Sequence, residues 1–122
     1  SAILPMKRNS SGDLFYQDLL IASGYSELSD EEWLLVIRPE RLFAVQDSTP
    51  ASDQTIIFTG VITEFVYQGE TAFALVSISD QHNLSIRFGT DSSGSQNLMR
   101  TGDTLRLGLK RSETIIIPKP ST

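Results

Sequence analysis

The sequence predicts an all-β protein, and side-chain alternation in its second half is the first observation behind this prediction. Leu84, Ile86 and Phe88 share one face of a strand, whereas Ser85 and Arg87 share the other. A side-chain period of two is typical of half-buried strands. We therefore expect this segment to contribute its apolar face to a core.

Turn-forming residues between the apolar segments are the second observation. Leu105 and Leu107 repeat the alternation, and we expect both to lie in the same core. Polar or glycine-containing clusters bound the segments at residues 68–70, 80–83, 91–94 and 101–103. Five short strands between residues 55 and 118 have the scale of a small barrel such as an OB-fold.

The N-terminal residues also favour strands. Residues 2–8 could form an edge strand, because Pro5 cannot donate a hydrogen bond to a neighbouring strand. A strong turn is expected at residues 9–13. Residues 14–23 are compatible with a strand or hairpin, and a short helix is the alternative.

The next elements lead towards the predicted barrel. The apolar run at residues 33–37 predicts a buried strand after an acidic loop. Pro39 suits the first position of a helical turn, and residues 42–45 resume as a short strand. A single helical turn is possible at residues 96–100.

Composition suggests where the chain divides. The polar stretch at residues 47–54 is typical of a linker or long loop. We expect an N-terminal β lobe at residues 1–46, a barrel at residues 55–118 and a tail at residues 119–122. The chain is also expected to be a fragment of a larger cytoplasmic protein.

Bulk properties exclude several classes of protein. The 122 residues are 39% apolar and 20% charged, which is ordinary for a globular domain. A net charge of −5 disfavours binding to nucleic acid, since that affinity comes largely from Lys and Arg. The absence of Cys rules out disulfides and thiolate metal sites. No apolar stretch has the length of a membrane span.

Residues with catalytic potential are sparse, and no enzyme activity, catalytic residue or metal site is expected. His82 is the only histidine and falls in the turn at residues 80–83. We expect it to be a solvated loop residue rather than a catalytic base, because loops lie on the surface. One His without Cys argues against a zinc site, because such sites are built mainly from several His and Cys ligands. The sequence has no glycine-rich phosphate loop of the ATP-binding type.

Four segments resemble parts of a known family. Residues 58–64, Phe-Thr-Gly-Val-Ile-Thr-Glu, and 67–71, Tyr-Gln-Gly-Glu-Thr, resemble the opening hairpin of the TOBE (transport-associated OB) domain. Residues 102–107, Gly-Asp-Thr-Leu-Arg-Leu, resemble its penultimate strand with the preceding turn. Residues 36–42, Val-Ile-Arg-Pro-Glu-Arg-Leu, resemble the element that precedes this domain. This order is typical of the C-terminal regulatory region of ABC-importer ATPases of the maltose, polyamine, ferric-iron and sulfate group.

The resemblance implies a non-catalytic domain that pairs and regulates ATPase subunits during uptake of a polyamine-, iron- or sugar-type solute. Its expected partners are a second copy of itself, the ATPase domain and the membrane permease subunits. ATP and Mg would be bound by the ATPase domain rather than by this fragment. The implied location is cytoplasmic, peripheral to the inner face of the cell membrane. The residues expected to have structural roles are Arg38, Pro39, Glu40, Gly60, Gly69, Gly102 and Asp103.

Gly60 has a specific structural expectation. Glycine inside a strand often marks a bulge or a close approach between strands. We therefore expect one of these features where the barrel curves.

A ligand pocket is the remaining possibility, because two such domains form pockets for the transported ligand or a small oxyanion in some family members. Arg87, Ser92, Ser93 and Arg100 could supply positive charge and hydroxyl groups around the polar loop, but a solvated loop with incidental arginines is the favoured interpretation. The alternative functions are a stand-alone OB-fold module that binds oligosaccharide or nucleic acid, and a small β-barrel enzyme.

Overall fold

The computed structural model describes residues 2–25, 32–45, 52–89 and 100–119. Within these ranges the regular elements are strands and short 3-10 turns at Pro39–Arg41 and Arg111–Glu113, which confirms the all-β prediction. No helix in the described ranges is long and apolar enough to cross a membrane. The strands are β1 Ala2–Arg8, β2 Leu14–Tyr16, β3 Leu19–Ala22, β4 Glu32–Ile37, β5 Phe43–Val45, β6 Thr55–Gln68, β7 Thr71–Ser77, β8 Asn83–Gly89, β9 Thr104–Lys110 and β10 Ile115–Pro118.

The strands form two antiparallel sheets, and each sheet contains one strand from the half of the chain that forms most of the other sheet. The first sheet has the order β10-β4-β1-β2-β3, and the second has the order β5-β9-β6-β7-β8. The last strand expected in the barrel, β10, therefore lies in the first sheet, while β5 lies in the second. The domain division at residues 47–54 stays a prediction, and a cut there would separate β5 and β10 from their own sheets.

The N-terminal strands form the larger part of the first sheet. β1 lies inside the sheet, so the prediction of an edge strand is wrong. β2 pairs with it only at Lys7 and Arg8, whereas β4 pairs with β1 along residues 2–7. Pro5 therefore needs no donor towards β2. The segment after the first turn is the β2–β3 hairpin rather than a helix, with Gln17 at a φ of 52° in its turn.

A single apolar core joins the two sheets. Leu4 and Met6 from the first sheet belong to the same buried cluster as Ile56 and Phe58 from the second. The rings of Tyr16 and Phe58 meet edge to face across the core, with centroids 6.5 Å apart. The predicted core positions Leu84, Ile86, Leu105 and Leu107 are all buried. The side chain of Phe88 lies outside the described residues.

Gly60 marks a close approach between β6 and β7, as the sequence predicts. A Cβ atom at this position would lie 2.4 Å from the carbonyl oxygen of Ser77 and 2.6 Å from Cγ1 of Val76. The pairing register of β6 with β7 then shifts between Ile62 and Glu64. The strand thus combines close contact with a bulge as it bends over the core.

Arg111 ties the edge of the first sheet to the segment before β6. Its Nε atom donates to the carbonyl oxygen of Asp53 at 2.7 Å, and its Nη1 atom donates to that of Ile21 on β3. Its backbone N–H donates to Gln54 at 2.9 Å. The guanidinium therefore connects two carbonyl groups that belong to different parts of the fold.

We expect Arg111→Ala to lower the free energy of unfolding by about 1–3 kcal/mol, because two carbonyl groups lose a charged donor. Urea denaturation measures this change. Arg41→Ala is the control, since the Arg41 side chain forms an exposed ion pair in which its Nε atom lies 3.6 Å from Oε2 of Glu113. Such pairs contribute about 0–1 kcal/mol. Equal losses in the two variants would contradict a linking role for Arg111.

Candidate functional site

The outer surface of the first sheet carries an apolar patch across three neighbouring strands. Val36 on β4 lies opposite Ile3 on β1 and Ile115 on β10. Directly opposed residues of an antiparallel sheet project their side chains on the same face. The next row that faces outward has Leu34 at its centre. We call these residues the apolar face: Ile3, Pro5, Leu34, Val36, Ile115 and Ile117.

The apolar face is open on the outer side of the sheet. Ile3 is 55% exposed and Ile117 is 41% exposed, whereas their neighbours Leu4 and Leu35 are buried in the core. Contiguous exposed apolar side chains on a soluble domain commonly mark an interaction surface. The arrangement is therefore suited to packing against another protein surface.

A row of charged residues borders the apolar face at one end. Lys7 lies opposite Glu32, and Nζ of Lys119 lies 3.5 Å from Oε2 of Glu32. The backbone N–H of Lys119 also donates to the carbonyl oxygen of Glu32 at 3.0 Å. The border thus presents both signs of charge beside the apolar side chains.

The two described residues of the predicted ligand site, Arg87 on β8 and Arg100 before β9, lie in different places. The Arg87 guanidinium lies over the ring of Phe73, 5.9 Å from its centroid. The backbone N–H of Arg100 donates to Oδ2 of Asp103 at 3.0 Å, beside the end of the sheet where Asp103 receives a hydrogen bond from Ile62.

Arg87 and Arg100 lie beside different positions along β7. Ile62 pairs with Val76, three residues along β7 from Phe73, which corresponds to about 10 Å of strand. Ser92 and Ser93 lie outside the described residues. A ligand site made by these four residues stays a prediction.

The segment at residues 38–40 carries the chain from one sheet to the other. Arg38 follows β4, and Pro39 begins the 3-10 turn that contains Glu40 and leads to β5. Pro fits this position because its fixed φ suits the first residue of a helical turn. The three residues thus lie at the passage between the sheets.

The two predicted turns at Gly69 and Gly102 require glycine because their backbone has a positive φ. Gly69 has a φ of 79° in the β6–β7 turn, and Gly102 has a φ of 98° before β9. Glycine adopts such conformations without the steric cost that a Cβ atom imposes. Asp103 adds the hydrogen bond to the Arg100 backbone described above.

His82 is not the solvated loop residue that the sequence suggests. It is half-buried, and its Nδ1 atom lies 3.0 Å from the Tyr16 hydroxyl and 3.2 Å from Oγ of Ser79. The Tyr16 hydroxyl donates to Ser79 at 2.8 Å. The correction follows from the packing of β2 against the β7–β8 turn, a non-local contact that a reading of the turn alone does not show.

The fold is similar to that of a solved molybdate-binding protein. The cytoplasmic molybdate-binding protein ModG, in a form with molybdate bound, matches with a TM-score of 0.68 and 12% sequence identity. The match covers 96% of this chain and 95% of that chain. At this identity the likeness shows the fold alone. A search of the curated proteins found no match.

The sequence match to a family covers the second sheet and part of the first. Residues 35–117 match the TOBE domain family. This region begins on β4, includes the passage at residues 38–40 and all strands of the second sheet, and ends on β10. Because the match spans more than half of the chain, the protein belongs to the TOBE domain family, as the resemblance in its sequence indicates.

Proposed function

We propose that this TOBE domain is a non-catalytic regulatory and dimerisation domain of an ABC-importer ATPase. The apolar face is the observation that carries the proposal, because it leaves six apolar side chains on one side of the first sheet. Burial of such surface is favourable in proportion to the apolar area removed from water. The face therefore provides a driving force for association.

A second copy of the chain fits the chemistry of this face. Two-fold contacts are the commonest arrangement in homo-oligomers, and they require a surface that is complementary to itself. The border contains the cations Lys7 and Lys119 together with the anion Glu32. A surface with both signs of charge can place unlike charges together when it meets its own copy.

The proposed parent protein would supply the ATPase domain and contact membrane permease subunits. That domain would bind ATP and Mg, and the complex would lie at the cytoplasmic face of the membrane during import of a polyamine-, iron- or sugar-type solute. In this arrangement, pairing of the TOBE domains would hold two ATPase subunits together. Changes at the pairing surface would then alter ATP-driven uptake without removing a catalytic residue.

Sedimentation equilibrium tests self-pairing directly. We expect the wild-type chain to form a dimer in reversible equilibrium and Ile117→Glu to shift it strongly towards monomer, because the substitution places a charge in the apolar contact. Val66→Glu is the matched control. Val66 is 45% exposed, similar to Ile117 at 41%, but it lies on the second sheet.

Two results would contradict this proposed surface. One is a wild-type chain that stays monomeric at high concentration. The other is an equal loss of pairing in Ile117→Glu and Val66→Glu, since that result would place the contact elsewhere or indicate a general charge effect. Circular dichroism should show that both variants retain the all-β fold.

A stand-alone small-oxyanion binder is the second candidate function. The observation that favours it is the similarity over 95% of the chain of ModG, a cytoplasmic molybdate-binding protein. Titration calorimetry with molybdate tests this function in the isolated chain. Saturable binding that is lost in Arg87→Ala or Arg100→Ala would support it, whereas no heat of binding would favour the regulatory role.

A further inference from the structure

A cleft opens where the β2–β3 hairpin separates from β1. The two strands pair only through Lys7 with Phe15 and Arg8 with Leu14. Pro5 has no N–H that could extend this pairing on the β2 side, and β2 turns away at Gln17. The resulting cavity has a volume of about 320 Å³.

The floor of the cleft is apolar and partly aromatic. Met6 is 1% exposed, Tyr16 is 4% exposed and Trp33 is 5% exposed, and all three line the cavity. Ligand pockets commonly have volumes of about 300–1,000 Å³, mostly apolar walls and a few polar groups that orient the ligand. The cleft has the dimensions and the lining of a site for a small molecule.

His82 lines this cavity, and its ring is held by Tyr16 and Ser79. The Tyr16 hydroxyl donates to Ser79, and the Ser79 hydroxyl faces Nδ1 of His82 at 3.2 Å. We assign the Ser79 hydrogen to Nδ1 as acceptor, which leaves an N–H group at Nε2. Since the edge-to-face contact with Tyr16 at 5.6 Å also orients the ring, His82 can offer Nε2–H to a ligand.

The mouth of the cleft has one excess positive charge. Lys7, Glu32 and Lys119 all line it, and Lys119 is the cation that pairs with Glu32 at 3.5 Å. Among the described residues, no ion pair within 4 Å neutralises Lys7. A local cationic group in a chain of net charge −5 favours an anionic ligand at this position.

We propose that the cleft binds a small carboxylate that carries an apolar body. The carboxylate accepts hydrogen bonds from the Lys7 ammonium and from Nε2–H of His82, while the apolar body packs against Met6 and Trp33. The carboxylate can belong to a free organic acid or to the C-terminus of a peptide. The cleft adjoins the apolar face: it shares Pro5 with that face, and Lys7, Glu32 and Lys119 of the charged border line its mouth. The inference rests on the cavity and its lining, and it does not depend on the proposed regulatory function.

Trp33 provides a direct probe because it is the only tryptophan in the chain and lines the cleft. Its fluorescence is followed during titration with benzoate and with hexanoate, and benzamide serves as the neutral analogue of benzoate. We expect both carboxylates to give a saturable change, and benzamide to bind at least tenfold more weakly. Competition between benzoate and hexanoate should show that they share one site.

Charge variants identify the group that holds the carboxylate. Lys7→Met removes the ammonium group but retains an apolar stem, and we expect it to weaken benzoate binding about tenfold. Lys110→Met is the matched control because Lys110 is an exposed lysine at the end of β9, away from the cleft. Its affinity for benzoate should equal that of the wild type. Thermal unfolding checks that both variants remain folded.

Short peptides distinguish the two sources of carboxylate. A peptide that ends in leucine is compared with its C-terminally amidated form in the same titration. Binding of the free-acid form alone identifies a peptide C-terminus as a ligand, whereas binding of free acids without the peptide identifies a small metabolite. The proposal is overturned if no carboxylate binds, if benzamide binds as well as benzoate, or if Lys7→Met leaves the affinity unchanged.

Discussion

Replacing Phe58 by alanine is expected to lower the free energy of unfolding by about 3–5 kcal/mol, the usual cost of emptying a large aromatic site in a core. Phe58 is 2% exposed and lies on β6, while its edge-to-face partner Tyr16 lies in the other sheet. The substitution therefore removes apolar contacts that join the sheets. Urea denaturation measures the loss, and Phe58→Leu should cost less because it leaves a smaller cavity.

The spectroscopic probe makes this experiment more specific. Trp33 lies in the first sheet, whereas Phe58 lies in the second. If the sheets unfold as one unit, Phe58→Ala should lower the urea concentration at the midpoint of unfolding by the same amount whether unfolding is followed by Trp33 fluorescence or by circular dichroism. A loss below about 1 kcal/mol, the range of surface substitutions, or two separate transitions would contradict a shared core.

Gly60→Ala is expected to destabilise the protein by about 3 kcal/mol, at the upper end of typical overpacking effects. The added methyl group would lie 2.4 Å from the carbonyl oxygen of Ser77, and this atom belongs to the backbone of a paired strand. The clash can be relieved only if β6 and β7 move apart. Chemical denaturation of the purified variant measures the effect.

Gly108→Ala is the matched control for Gly60→Ala. Here the new methyl group would lie 2.5 Å from ring atoms of Phe43, a side chain that is 39% exposed, and 2.9 Å from Cγ2 of Val45, so that it meets side chains rather than backbone. The ring can rotate towards solvent, so we expect a loss of about 1 kcal/mol. Equal losses at the two glycines would show that backbone contact at Gly60 does not control the packing.

Local patterns were sufficient to predict most of the strands and four buried positions of the second sheet. The alternation around Leu84 and Ile86 indicated which side chains face inward, because a strand turns successive residues to opposite sides. The glycine at residue 60 indicated a close approach for the same local reason. These features depend on the chemistry of neighbouring residues rather than on the order of strands in a sheet.

The positions of β5 and β10 in the two sheets, and the apolar face, depend on pairing between distant parts of the chain. The periodicity of the sequence alone does not determine such pairing. The continuously apolar run at residues 33–37 predicts a buried strand. In the folded chain Leu35 is buried, whereas Leu34 and Val36 lie on the outer face. The partners of β4 are β1 and β10, from opposite ends of the chain, so the apolar face appears only after folding.

The ATPase activity of the complete gene product that carries this domain tests the central proposal most directly. We expect that product to hydrolyse ATP, whereas the isolated 122 residues should show no saturable binding of Mg-ATP in calorimetry. Ile117→Glu in the complete product should alter the ATPase rate and weaken pairing while leaving nucleotide affinity unchanged. A complete product without ATPase activity, or one whose activity is insensitive to this substitution, would contradict the proposed regulatory function.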